Sequence, residues 1–320
     1  MDADLFLADL EAVPASLNDL ADALEAGDAV WPVEQVPRRI VLLGMGSSWY
    51  AATAVAARLR AAGIDAAAEP ASSALTWPPA PDVLVVAISA TGGSAETLAA
   101  ADRYLGTSRV VALTNDIESP LAGRADAVVP MLAGVETGGV ACRTYRHTIA
   151  QLLSLASSVG AAPPVVPAIR RAATATEHLL EARPSWLSAV LSALDSDDGT
   201  WLLAPAERWS SALQGALMVR EGPRRRADGC ETGDWSHVDV YLAKVLDYRA
   251  LVFTGSPYEQ AAAEWLTLRG STSVAVGGSF PGAVTEVRYP GDDDPTVALL
   301  TEVLVPELVA AAWWRAAAQP

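Results

Sequence analysis

Val83-Leu84-Val85-Val86-Ala87-Ile88-Ser89-Ala90-Thr91-Gly92-Gly93-Ser94-Ala95-Glu96-Thr97 is the stretch on which the fold turns. A short, unbroken apolar run of this kind is a strand covered on both faces. The alanine-rich segment that follows, Leu98-Ala99-Ala100-Ala101, reads as a helix. Between them lies a turn with three hydroxyls, Ser89, Thr91 and Ser94, and two glycines. A helix N-terminus leaves backbone N–H groups unpaired and carries partial positive charge, so it accepts a phosphate-sized anion. The same residues would equally serve as an ordinary helix cap.

Outward from this turn the pattern repeats. Arg39-Ile40-Val41-Leu42-Leu43 is a second strand-like run, ending in Gly44-Met45-Gly46-Ser47-Ser48, with a helix expected from Trp49 to Ala62. Further strands are expected at Ile64–Glu69, Arg109–Asn115 and Ala127–Met131, and a helix at Arg146–Ser158. Apolar strands alternating with helices predict an α/β fold with parallel, doubly covered sheets. Before it, Leu5, Leu7, Leu10, Val13, Leu17, Leu20 and Leu24 recur at helical spacing. After the linker Ala161-Ala162-Pro163-Pro164-Val165-Val166-Pro167 the grammar recurs more loosely. Strands are expected at Thr200–Ala204, Ala250–Thr254, Ser273–Val276 and Glu286–Tyr289, and helices at Trp209–Glu221, Tyr258–Leu268 and Val297–Ala318. The segment from Arg224 to His237 reads as a polar loop. The expected organisation is an N-terminal helical segment, 1–34, then two similar doubly wound subdomains, 35–162 and 168–320.

Composition narrows the function classes. The 320 residues carry a formal net charge of −16, which repels nucleic acid and anionic lipid at long range. Lys244 is the single lysine, so lysine-dependent chemistry is absent from nearly every site. Cys142 and Cys230 have no metal-type spacing and read as free thiols. No uninterrupted apolar run approaches the ~18 residues of a membrane span, and the acidic start Met1-Asp2-Ala3-Asp4 is unlike a signal peptide. A cytoplasmic location without membrane or nucleic-acid partners is expected.

Ligands of open parallel sheets bind beyond the carboxyl ends of the strands. Three hydroxyl-bearing groups fall there: Gly46-Ser47-Ser48, Ser89 to Ser94, and Thr114-Asn115 with Ser119. A dinucleotide site is the rival. Gly44-Met45-Gly46 begins like that fingerprint, but Trp49 stands where the third glycine permits close helix–sheet packing.

Gly46-Ser47-Ser48-Trp49-Tyr50-Ala51 and Ser89 to Thr97 resemble the two signature turns of SIS (sugar isomerase) domains, whose sheets are flavodoxin-like. Thr114-Asn115 through Ser119-Pro120-Leu121-Ala122 adds to the likeness, as does Ala133-Gly134-Val135-Glu136 through Gly139-Val140-Ala141. The resemblance implies that Ser48, Ser89, Thr91 and Ser94 hold a sugar phosphate, with Ser47 and the Ala90 backbone as neighbouring contacts and the Val140 backbone against the sugar. In the second half, Glu221 closes a helix resembling the family's catalytic one. Gly233-Asp234-Trp235-Ser236-His237 resembles the segment carrying the family histidine. Their separation, 237 − 221 = 16 residues, matches the family spacing. Glu221 is thus expected as a proton-shuttling base and His237 as a second acid/base, with no metal or organic cofactor. A phosphorylated sugar or aminosugar is implied as substrate and a homodimer as the assembly, with His237 reaching the neighbouring subunit's site. A carboxylate and an imidazole suit proton transfer between C1 and C2 of a sugar, or release of an amine from C2, because their pKa values can be tuned toward neutrality.

Several positions depart from the family. Met218 replaces an active-site lysine, Gln214 a glutamate, and Ala204-Pro205-Ala206 the glycine turn of the second half. These departures fit isomerases, aminosugar-phosphate deaminases and deglycases of the stand-alone double-SIS type, and also a sugar-phosphate sensor without catalysis. His147 and His178 read as structural, Trp235 and Trp313-Trp314 as core or interface, and Arg224-Arg225-Arg226 as a solvated run with an anion site as its alternative.

Overall fold

The computed structural model describes residues 1–318. Two helices open the chain, α1 (Ala3–Glu11) and α2 (Val13–Ala26). The first α/β series follows: β1 (Arg39–Gly44), α3 (Ser47–Ala61), β2 (Asp65–Pro70), β3 (Val83–Ile88), α4 (Ala95–Asp102), β4 (Arg109–Thr114), β5 (Ala127–Pro130) and α5 (Arg143–Ser158). Then come α6 (Val166–Glu181) and α7 (Arg183–Leu194). The second series is β6 (Thr200–Ala204), α8 (Trp209–Glu221), β7 (Ala227–Glu231), α9 (Thr232–Trp235), β8 (Arg249–Phe253), α10 (Glu259–Leu268), β9 (Thr272–Val276), β10 (Thr285–Val287), α11 (Pro295–Thr301) and α12 (Leu304–Ala318).

Each series builds one five-stranded parallel sheet. The orders are β2-β1-β3-β4-β5 and, read from the corresponding edge, β7-β6-β8-β9-β10. The two sheets therefore share one topology, in which β6 stands where β1 does and β8 where β3 does. The sequence-level expectation of two similar α/β subdomains holds. In both sheets the order reverses between the first strand and the third, and the crevice at the carboxyl ends there is where ligands of such sheets are expected.

The chain divides into two compact units. Ser16–Val135 and Ala141–Ile169 form the first; Met1–Ala15, Glu136–Val140 and the chain from Arg170 onward form the second. The first is built on fully buried β3, whose six residues are all apolar, with β1 and β4 nearly as covered. On one face Val41, Leu43, Val85, Ala87 and Val110 pack with Tyr104 and Leu121. Near β5, His147 of α5 is fully buried between Ser16 Oγ at 2.8 Å from Nε2 and the Met131 carbonyl at 2.9 Å from Nδ1. The carbonyl can only accept, so Nδ1 carries the proton and Nε2 accepts from the serine. Burial pushes this imidazole down to about 4. The ring therefore folds neutral. Its contribution is complete above the ordinary histidine value of about 6.5 and is lost as pH falls from there toward 4. Denaturant titrations at pH 7 and pH 5 should show about 2 kcal/mol less stability at the lower pH, and His147→Gln should flatten that slope.

In the second unit, Trp235 is fully buried, donates to the Tyr248 hydroxyl at 2.7 Å, and lies in a cluster with Trp201, Val252 and Leu266. Trp201 stacks on Tyr248 at 4.2 Å between centroids. The segment read as a polar loop proves to contain β7 and the short α9. As an edge strand, Ala-Asp-Gly-Cys-Glu needs no apolar run, and Gly229 allows it to approach α8, where a Cβ would fall 2.6 Å from the Ala212 carbonyl carbon. The terminal helical region Pro295–Ala317 contains an 18-residue window with mean hydropathy 1.6, apolar and long enough to cross a membrane by composition. In the structure 83% of that window is buried inside the protein, with Glu302 and Glu307 among its buried residues.

Candidate functional site

Ser47, Ser48 and the turn from Ser89 to Ser94 follow β1 and β3 at the reversal point of the first sheet, where these strands are adjacent in parallel register. After β1 the backbone turns through Gly46, φ +51°, directly into α3, so Ser47 and Ser48 form the first helical turn. Gly44 is required by the close approach of that helix: a Cβ there would sit 2.9 Å from Ser48 Cβ. After β3, Ser89 N–H still donates to Leu113 and the Ala90 carbonyl accepts from Asn115, which holds the turn against β4. Gly92 then takes φ +61° with its Cα pressed against Ser119, where a Cβ would fall 2.0 Å from Oγ.

Among the described residues, no side-chain hydrogen bond engages the hydroxyls of Ser47, Ser48 or Ser89. Thr91 is exposed and its Oγ1 accepts weakly from Gly93 N–H at 3.4 Å. Ser94 does act as the N-cap of α4: its Oγ accepts from Thr97 N–H at 3.4 Å and donates to Glu96 at 3.0 Å. Backbone and Ser94 hydrogen bonds hold the Glu96 carboxyl below the ordinary glutamate value. Thr114, Asn115 and Ser119 have a different place from the one their sequence position suggested. Thr114 Oγ1 donates toward the Ala90 carbonyl, Asn115 bridges Gly134 O and Ala133 N–H, and Ser119 lies buried under Gly92. They brace the turn from behind.

The corresponding crevice of the second sheet is filled by the chain itself. The Glu259 carboxylate accepts from the Gly255 and Ser256 amides, the donors an anion would otherwise use. Arg208 donates to the Thr254 carbonyl and forms a buried ion pair with Glu302 at 3.1 Å. A proline turn, Ala204-Pro205-Ala206, replaces the glycine turn there. Sequence reasoning did not single out Arg208 or Glu259.

Glu221 is the last residue of α8 and is half-buried. Burial raises its carboxyl above the ordinary glutamate value, against the lowering pull of Arg220 and Arg224. His237 follows α9 two residues after the buried Trp235 anchor, with its backbone N–H on Asp234 O at 2.8 Å and its side chain exposed. Val140 is buried at the end of Glu136–Val140. That segment is fastened by α1: Asp9 accepts from Gly138 N–H at 2.7 Å, Asp2 N–H donates to Gly138 O at 3.2 Å, and a Cβ on Gly138 would collide with Phe6 Cα at 2.5 Å. Asp9 was legible in principle, since it falls on the buried stripe of Phe6, Leu10 and Val13, where a carboxylate needs a donor. The structure thus places Ser47, Ser48, Ser89, Ala90, Thr91 and Ser94 in the first unit and Val140, Glu221 and His237 in the second.

The remaining reactive groups narrow the chemistry. Cys230 on β7 is pushed up to about 12 by burial and by Asp239, Asp234, Asp228 and Glu231, so it stays a thiol. Cys142 is buried, and neither cysteine is in a disulfide. Among the described residues no group of three or more His, Cys, Asp or Glu is arranged to hold a metal ion.

Two doubly wound parallel sheets of identical topology, the first with hydroxyls at its reversal point, define a double α/β protein. Residues 35–159, the first α/β series, match the SIS domain model. The chain is 30% identical over 233 residues to glutamine–fructose-6-phosphate aminotransferase (isomerizing) of Mycolicibacterium smegmatis, covering 66% of this chain and 34% of that protein. The enzyme of the same name from Sulfolobus acidocaldarius is 24% identical over 241 residues, 74% of this chain and 40% of that one. The chain therefore spans little more than a third of the length of these curated relatives. Among solved structures, the C-terminal domain of glucosamine-fructose-6-phosphate aminotransferase from Francisella tularensis superposes with a TM-score of 0.82 at 16% identity, covering 97% of this chain and 96% of that one. Tagatose-6-phosphate ketose/aldose isomerase from Escherichia coli gives 0.76 at 16% identity, covering 98% and 94%.

Proposed function

We propose that this protein binds a phosphorylated sugar or aminosugar and moves a proton at the carbons around its carbonyl, in aldose–ketose isomerisation, deamination or deglycation. The open hydroxyls of Ser47, Ser48 and Ser89 at the first sheet's reversal point are the observation that carries this reading, and the half-buried Glu221 carboxyl, raised by burial above the ordinary glutamate value, is the candidate base. In its ionised form it abstracts the proton and, once protonated, returns it to the neighbouring carbon. His237, exposed and held in place by the Trp235 anchor, serves as acid/base toward the ring or leaving oxygen or amine. The reading includes a homodimer, in which an exposed His237 is available to a neighbouring subunit.

The phosphate would be held by Ser48, Ser89, Thr91 and Ser94, with Ser47 and the Ala90 backbone beside them. Support comes from the open hydroxyls, from the two glycine-dependent turns, and from the names of the relatives, which include fructose 6-phosphate and tagatose 6-phosphate. The Ser89→Ala/Thr91→Val double variant should bind a hexose 6-phosphate ten- to a hundred-fold more weakly by calorimetry while unfolding at the parent's denaturant midpoint. Parent-like affinity would remove the cradle from the reading.

A non-catalytic sugar-phosphate sensor is the second reading. It is favoured by Met218, fully buried where the family has a lysine. Binding without product across a panel of hexose and aminohexose 6-phosphates, assayed in both directions, would select it.

A further inference from the structure

The turn that follows Glu221 is built in a way the proton chemistry does not need. Gly222-Pro223-Arg224-Arg225-Arg226 leads from α8 into β7. Arg225 is its fastening. Its N–H donates to Val219 O at 3.2 Å, its guanidinium pairs with Asp195 at 2.6 Å and donates to Ser196 O at 3.1 Å, and it lies over the Trp313 ring at 4.0 Å. The Arg226 carbonyl accepts from Thr200 N–H at 3.0 Å, which pins the other end to β6. Between these anchors Arg224 is held at φ +60°, one of two non-glycine residues with positive φ among those described. Such a backbone costs free energy and persists where surrounding structure imposes it, often at ligand sites.

The result is that Arg224 and Arg226 are exposed and line an open groove of about 620 Å³ together with Trp313. Asp195 and Asp197 also line it, but Asp195 is committed to Arg225. Three arginines against two aspartates leave the groove cationic on a chain of net charge −16. A solvated arginine run needs neither the strained residue nor the stacked, doubly hydrogen-bonded neighbour. Fixed guanidinium forks suit an oxyanion, and a local cationic focus on an acidic protein concentrates one. Arg224 follows Glu221 by three residues and its charge favours the ionised form of that carboxyl, which ties the groove to the candidate base.

We infer that this groove is a second oxyanion subsite, which takes a carboxylate or phosphate on the part of the substrate beyond the carbon that Glu221 serves. The inference rests on the sugar-phosphate reading for its place in turnover, but not for its anion binding. The substrate class becomes a sugar phosphate with a second acidic group, such as an amino-acid conjugate or a bisphosphate.

Two measurements separate these levels. In calorimetry with malonate as the probe, the parent should bind, Arg224→Gln/Arg226→Gln should bind at least ten-fold more weakly, Arg224→Lys/Arg226→Lys should fall between, and Ser89→Ala/Thr91→Val should match the parent. No malonate binding to the parent, or a loss seen only in the Ser89/Thr91 variant, overturns the subsite. In turnover, kcat/KM for the glycine-derived fructosamine 6-phosphate should exceed that for the ethylamine-derived one, and fructose 1,6-bisphosphate should compete better than fructose 6-phosphate if phosphate is the preferred group. The glutamine pair should erase whichever preference the parent shows. Equal treatment of charged and uncharged compounds by the parent also overturns the subsite. If no compound is turned over while malonate still discriminates the variants, the catalytic reading fails and the subsite stands.

Discussion

Glu221→Gln should lower kcat by 10²- to 10⁴-fold on any sugar phosphate the parent turns over, with the affinity for that sugar phosphate within a few-fold of the parent's. Glutamine keeps the size and polarity of the side chain and removes the titrating group, so a loss confined to kcat reports proton transfer rather than packing. The parent's pH–rate profile carries a second signature. A base must be ionised, and burial raises this carboxyl above the ordinary glutamate value, so the acidic limb of kcat/KM should lie above that value. Removing the pull of Arg224 by Arg224→Gln should move the limb further up, because that cation favours the ionised form. The stability effect has the opposite sign to that of a paired carboxylate. The folded state holds the Glu221 proton to higher pH than the unfolded chain does, so this residue's contribution is greatest at low pH and declines as pH rises through its folded value. A Gln variant with undiminished kcat, or an unchanged acidic limb, would remove Glu221 from the chemistry. His237→Ala should cost less than Glu221→Gln if the histidine assists the leaving group and more nearly the same if it opens the ring, which comparison of cyclic and open-chain substrates resolves.

The parts of this molecule that were legible in the sequence are those written in short-range physics. β3 announced itself through six consecutive apolar residues, and α8 matched its expected span from Trp209 to Glu221. Gly46 and Gly92 were visible as glycines, and the structure supplies their reasons, positive φ in both and a serine packed against the second. β7 was not legible because an edge strand can be polar, and its pairing with β6 is a tertiary fact. The roles of Thr114 and Ser119 were misplaced for a related cause: a hydroxyl after a strand reads the same whether it faces a ligand or braces the adjoining turn. Ser94 shows both roles converging, since the helix cap and the candidate phosphate contact are one residue.

Least legible was the buried pair at the second sheet's reversal point, and its disruption should produce the largest stability loss. Arg208→Met withdraws the Arg208 guanidinium from the Glu302 carboxylate, fully buried on the segment between α11 and α12. Breaking one side of such a pair costs about 3–5 kcal/mol, because the remaining charge stays in a low-dielectric interior. It also withdraws the donor to the Thr254 carbonyl, which holds the turn after β8. Replacing both partners, Arg208→Met with Glu302→Leu, should recover most of the loss, since no uncompensated charge remains. Chemical denaturation of the two single variants and the double one closes the cycle, and additive losses in the double variant would show that the two residues do not act as a pair. The outcome bears on function as well as stability. In the first sheet the same topological position is lined with open hydroxyls, whereas in the second Arg208, Glu302 and Glu259 occupy it. A double variant that folds stably and retains turnover would mean that this crevice has become scaffold. Its charges would then serve to hold β6, β8 and α12 in one arrangement, and anion binding would be left to the first unit's cradle and the arginine turn beside Glu221.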